Sequence, residues 1–163
     1  MKRLLIICML VVLGNGVFGQ GIEFMDNEPW SKVLQRAKEQ NQLIFMDCYT
    51  VWCGPCKGLA QDVFPQKQVG DFFNAHFVNV KYDMEKGDGK MLREKYKEYI
   101  IGFPTLLLLD GDGNVVHQMA GYQKAENLIA GMKAGMEGKS LPALQKKYEE
   151  FVILKRFVIT WQH

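Results

Sequence analysis

Cys53 and Cys56 are separated only by Gly54 and Pro55, and shortly before them runs Leu43-Ile44-Phe45-Met46, a continuous apolar stretch of the kind a strand buried on both faces shows. Two thiols at that spacing can close a disulfide and exchange it with a partner, or they can supply half of a tetrahedral zinc site. If the chain after the strand opens a helix, Cys53 lies at the helix N-terminus. Unpaired N–H groups and the helix dipole there stabilise the thiolate, which is the form that attacks sulfur. Cys56 then sits one turn further in, shielded until it attacks the mixed disulfide formed at Cys53. Pro55 is compatible with a first helical turn, which has no partner for the N–H that proline lacks, and Gly54 keeps the turn open. Zinc would need two further ligands. Cys48 is on the strand beside Asp47, and His76, His117 and His163 are scattered with none at ligand spacing from a second donor, so no metal is expected.

Asp47 stands six residues before Cys53, inside the apolar strand and next to a thiol. Burial would raise its pKa and let it hold a proton near neutrality. Cys48 reads as a small buried hydrophobe, with a third reactive thiol as the alternative. Two other motifs fail on inspection. Asp110-Gly111-Asp112-Gly113-Asn114 begins like a calcium loop, but Val115 occupies the position that requires glycine and no acid closes the loop. Gly87-Asp88-Gly89-Lys90 lacks the glycine spacing and the Ser/Thr of a phosphate loop.

The elements that must position the two thiols follow from periodicity. Trp30, Val33, Leu34 and Ala37 form one apolar stripe of a helix over residues 29–40, with Asn27 as its candidate cap. Residues 43–46 and 77–82 read as strands, and the helix that carries the cysteines should stop near Pro65. Leu92, Tyr96 and Tyr99 place a helix over residues 90–99. Leu106 to Leu109, the turn at 110–114 and residues 115–119 read as a hairpin, and a last helix bearing Leu128, Ile129, Met132 and Met136 ends near Gly138. Strands alternating with helices imply an α/β domain with a central mixed sheet flanked by helices.

The string Trp52-Cys53-Gly54-Pro55-Cys56-Lys57 resembles the thioredoxin family, over roughly residues 28–137. The resemblance implies a thioredoxin fold and thiol:disulfide oxidoreductase chemistry. It also implies that Asp47 relays a proton to Cys56, that Lys81 partners Asp47, and that Pro104 of Phe103-Pro104-Thr105 is a cis proline packed against the disulfide. Trp52 and Phe103 would shape the substrate contact. The chain departs from thioredoxin where the family has a kinking proline: Ala60 and Gln61 stand there, and the first proline is Pro65. The stretch from Cys56 to Val69 is more similar to exported bacterial thioredoxin-like proteins and to the C-terminal periplasmic domain of thiol:disulfide interchange proteins.

The chain has 163 residues, 20 Lys+Arg and 18 Asp+Glu, too balanced to argue for nucleic acid, and 48% of it is apolar, as a folded domain requires. Lys2 and Arg3 precede an apolar run over residues 4–13 and a small-residue stretch, with Val17 and Gly19 suited to a cut before Gln20. Residues 1–19 are therefore expected to be a signal peptide, with an uncleaved anchor as the alternative. Cys8 would leave with it. Residues 20–138 would form the thioredoxin-like domain, and 139–163 an extension without an assigned structure. The expected protein is an exported monomer, periplasmic in a Gram-negative cell, that reduces or exchanges disulfides of protein substrates. It needs no cofactor beyond its own Cys53–Cys56 disulfide and takes electrons from a membrane donor. The alternatives are a disulfide oxidase or isomerase on the same site, or a non-catalytic binding or chaperone module.

Overall fold

The computed structural model describes residues 21–138 except Asn27, together with Tyr148 and Glu150. The candidate signal segment with Cys8, the Asn27 cap, the tail beyond Gly138 apart from those two residues, and His163 lie outside the described residues.

Strand β2 (Leu43–Tyr49) is the centre of the molecule, and five of its seven residues are buried. It pairs in parallel with β3 (Phe77–Asp83) and antiparallel with β4 (Thr105–Leu109). A short β1 (Met25–Asp26) adds to the outside of β3, and β5 (Val115–Ala120) closes the other edge as a hairpin with β4, giving the order β1-β3-β2-β4-β5. Helix α1 (Trp30–Gln40) and helix α4 (Gly87–Lys95) cover one face, where Trp30, Val33, Ala37 and Leu92 pack with Cys48, Tyr82 and Leu107. The opposite face carries helix α2 (Gly54–Gly58), helix α3 (Lys67–His76) and helix α5 (Ala125–Met136), with Phe45, Phe64, Phe73, Leu106, Leu128 and Met132 between them and the sheet. This is the mixed sheet flanked by helices that the strand and helix alternation implies.

Several boundaries differ from the sequence reading for physical reasons. β2 runs three residues beyond its apolar run because Asp47, Cys48 and Tyr49 keep the ladder with Lys81, Tyr82 and Asp83. α3 is absent from that reading. Its buried residues Val69, Gly70 and Phe73 give only a short stripe, hard to separate from the turn signal at Pro65. α4 starts and ends earlier than expected, and Tyr96 and Tyr99 fall in the turns after it, where the Tyr96 hydroxyl donates to the Gly113 carbonyl at 2.8 Å. Pro29 holds the N-cap position of α1, and the carboxylate of Asp88 on α4 accepts the Trp30 N–H at 2.9 Å. A side chain distant in sequence thus satisfies one of the orphan donors of that helix end. In the hairpin turn, Asp110 accepts the N–H groups of Asp112 and Asn114 at 2.9 and 2.8 Å, and Gly113 takes φ +82°, so the acids there knit a turn.

The helix after the cysteines has its own solution to the missing proline. α2 passes directly into a π turn over Leu59–Val63, in which the Phe64 N–H donates to the Leu59 carbonyl at 2.9 Å. A π turn widens the helix by one residue and interrupts the regular ladder, a feature often found beside functional sites. It sends Leu59 and Val63 into the core and brings Phe64 to the sheet before Pro65.

Candidate active site

Cys53 holds the N-cap position of α2 in an extended conformation, with Pro55 in the first turn, as the absence of a partner for the proline nitrogen allows. Cys53 and Cys56 form a disulfide with Cα atoms 5.3 Å apart. The backbone N–H of Cys56 donates to the Cys53 sulfur at 3.1 Å, so the donor that would stabilise a Cys53 thiolate is already aimed at it. A Cβ on Gly54 would meet nothing within 4 Å, so the space beside that residue is open.

Two quite different surfaces adjoin the pair, one reached through Trp52 and one through Cys56. The first is an aromatic rim. Trp52 is 64% exposed, its ring meets Phe103 edge to face at 6.0 Å, and its indole N–H donates to the Glu85 carboxylate at 3.1 Å. The Phe103–Pro104 peptide bond is cis, and the segment is tied to the residue that follows β5 by the Gly121 N–H, which donates to the Pro104 carbonyl at 2.9 Å. Ile101 adds exposed apolar surface on the loop leading to Phe103.

At the second, Cys56 lines a cleft of about 610 Å³ together with Asp47, Thr50, Lys57, Lys81 and the apolar side chains of Phe24 and Phe64. The residues before β1 form one wall. Ile22 N–H donates to the Phe64 carbonyl at 2.9 Å, and a Cβ on Gly21 would collide with that same oxygen, so only glycine lets the chain pass so close. Asp47 is almost fully buried, and burial pushes its carboxyl up to about 7 against the partial opposition of the Lys81 ammonium. Lys81 is the register partner of Asp47 in β3, and its ammonium also lies 5.4 Å from the centre of the Phe24 ring. Asp47 Oδ1 and Thr50 Oγ1 are buried and take no hydrogen bond from the described residues.

The fold therefore gathers Cys56, Asp47 and Lys81 around one cleft, with Cys53 joined to it through its bond to Cys56, and sets Phe103 against Trp52, the residue before Cys53. Cys48 is set apart. Although next to Asp47, it points to the opposite face of the sheet, fully buried among Trp30, Tyr82, Tyr96 and Leu107. Its thiol is pushed well up by burial and by the neighbouring carboxylate. Sequence reasoning missed Phe24, Thr50, Glu85 and Arg93. The guanidinium of Arg93 lies 5.5 Å from the Phe103 ring centre, and nothing in the sequence pattern ties it or Glu85 to the aromatic rim.

Comparison with known proteins agrees with the fold. The solution structure of a candidate disulphide-isomerase from Bacteroides thetaiotaomicron superposes with a TM-score of 0.64 at 44% identity, covering 72% of this chain and 95% of that one. The C-terminal domain of Neisseria meningitidis DsbD, in its oxidised form, shares the fold with a TM-score of 0.54 at 20% identity, over 64% of this chain and 90% of that one. In sequence, the protein disulfide-isomerase of Hordeum vulgare is 30% identical over 94 residues. That stretch is 58% of this chain but 18% of the relative, so the chain spans under a fifth of that protein's length. The profile described as a thioredoxin-like domain matches residues 30–135, most of the chain, and the protein belongs to the thioredoxin-like domain family.

Proposed function

We propose that this protein is an exported thiol:disulfide oxidoreductase that reduces or exchanges disulfides of polypeptide substrates through Cys53 and Cys56. The observation that carries the reading is the Cys53–Cys56 disulfide at the start of α2, with the Cys56 N–H on the Cys53 sulfur and a buried carboxyl sharing the Cys56 cleft. In the reduced protein, the Cys53 thiolate attacks one sulfur of a substrate disulfide. An S–S bond to Cys53 forms, and the substrate's other sulfur leaves as a thiolate. Asp47 accepts the proton of the Cys56 thiol, for which a carboxyl poised near 7 is suited. Cys56 then attacks the Cys53 sulfur, the second substrate thiolate departs, and the two electrons gained by the substrate equal those lost by the cysteine pair. A dithiol donor, taken to be in the membrane, returns the pair to the reduced state. Trp52, Phe103 and Pro104 border the approach to Cys53, and Lys81 tunes Asp47.

Export rests on Lys2 and Arg3 followed by the apolar run over residues 4–13. Isomerisation on the same site is the second reading, favoured by the 44% identity with the Bacteroides protein. Insulin-disulfide reduction tests the main proposal: wild-type protein should catalyse it and the Cys53→Ser variant should not, and retention of turnover by that variant sinks the redox reading. A measured potential separates the directions. A value near about −270 mV, as in thioredoxin, supports reduction, and one near about −120 mV supports oxidation.

A further inference from the structure

The aromatic rim ends in a cation that the proposed chemistry does not use. Arg93 is exposed on α4, and its guanidinium lies over the Phe103 ring, 5.5 Å from the centroid. Phe103 in turn meets Trp52, the residue before Cys53. Other cations around this helix are engaged. Lys86 faces Asp83 at 3.6 Å, Lys97 bonds Glu94 at 2.6 Å, and Lys95 lies over the Tyr96 ring. Among the described residues no carboxylate lies within ion-pair distance of Arg93 or of Lys90, which is exposed one turn earlier on the same helix face. The acid that meets the rim at Trp52, Glu85, is committed there by accepting the indole N–H. The rim thus carries a carboxylate on Trp52 and, over Phe103, a guanidinium without an ion-pair partner among the described residues. Exposed Met91 and Ile101, 49% and 80% accessible, add apolar surface on α4 and on the loop leading to Phe103. A guanidinium resting on an aromatic ring by a cation–π contact, which takes up none of its N–H donors, retains them for a carboxylate.

We propose that Arg93, supported by Lys90, forms a subsite for an acidic side chain of the polypeptide engaged at Cys53, so that partners with a carboxylate and an apolar residue close to the reacting cysteine are preferred. This rests on the oxidoreductase reading, because it takes the rim to be where substrate lies. The test uses two peptides identical except for Asp or Lys two residues from a central S-methylated cysteine. Their binding to the oxidised protein is followed by Trp52 fluorescence and needs no turnover. The acidic peptide should bind at least about fivefold tighter than the basic one, a preference of about 1 kcal/mol that shrinks as salt is raised. Arg93→Gln should abolish the preference and Arg93→Glu reverse it, whereas Arg93→Lys should retain part of it. Equal binding of the two peptides by wild type, or an equal loss for both in Arg93→Gln, overturns the proposal, the latter because it would leave Arg93 only a prop for Phe103. Reduction of bis(2-hydroxyethyl) disulfide, measured separately, reports on the oxidoreductase reading. Charge-selective binding without that turnover would sink the reading and spare the subsite, and turnover with charge-blind binding would do the opposite.

Discussion

Asp47 and Cys48 are adjacent on the central strand, both almost wholly buried, and both titrate above their ordinary values because burial disfavours charge. Their surroundings nevertheless differ in kind. Asp47 opens into a cleft shared with Cys56 and Lys81, while Cys48 is sealed on the other side of the sheet among tryptophan, tyrosine and leucine. A perturbed pKa therefore does not by itself mark a working group. Access to the reacting atoms and a nearby opposite charge distinguish the two, and both follow from the alternation of side chains along a strand.

The largest expected effect sets Cys53 against Cys48. Cys53→Ser should lower insulin-reductase turnover by more than about a thousandfold, whereas Cys48→Ala should leave it within about twofold. A large loss of turnover in the Cys48 variant, with its fold intact by circular dichroism, would break the comparison. Asp47→Asn comes next. Loss of a positioned proton acceptor should slow the resolving step by about a hundredfold and remove the limb of the pH–rate profile near 7. An unchanged profile would mean that Asp47 is as silent as its neighbour.

The same carboxyl has a signature in stability. Its folded pKa of about 7 lies above the ordinary 3.8, so the stability present while it is protonated is lost as pH rises from 3.8 through about 7. Asp47→Asn should remove that decline and stabilise the protein at pH 8 by roughly 2–4 kcal/mol, read from urea unfolding at pH 5 and pH 8. A smaller effect is expected from Lys81→Met. Loss of the Lys81 charge, which opposes the effect of burial on Asp47, should move the pH–rate limb upward by about one unit, and a downward move would contradict the electrostatic account. The smallest expected effect returns to Cys48. Cys48→Ala should cost about 1–2 kcal/mol of stability through a small cavity, and iodoacetamide should modify Cys48 only in denaturant.

Much of the scaffold was legible because it is periodic. The stripe of Trp30, Val33 and Ala37, the apolar runs of β2 and β4, and the hairpin turn all follow from patterns that span a few residues. α3 was not legible, because its buried stripe is short and Pro65 signals a stop just before it. The π turn was hidden as well. The absence of a proline at Ala60 and Gln61 announced a departure from the family pattern, but replacement of a kink by a wider turn depends on where Leu59, Val63 and Phe64 find the core. Cys53, Cys56 and Asp47 could be singled out from residue type and spacing, and Lys81 and Pro104 only by resemblance. Glu85, Arg93 and Phe24 stood outside both routes, since each meets the site from a segment remote in sequence.

By itself, then, the sequence determined the reactive pair, its place at the start of a helix, the acid immediately after an apolar run, and the α/β order of elements, because each is a matter of local spacing. Only the tertiary structure decided that Asp47 and Cys48 part company across the sheet, that the acid shares a cleft with Cys56 and Lys81, and that Arg93 rests on Phe103 beside Trp52. The physical reason is that register between strands and packing of helices on the two faces set which distant side chains meet, and no local pattern encodes those distances.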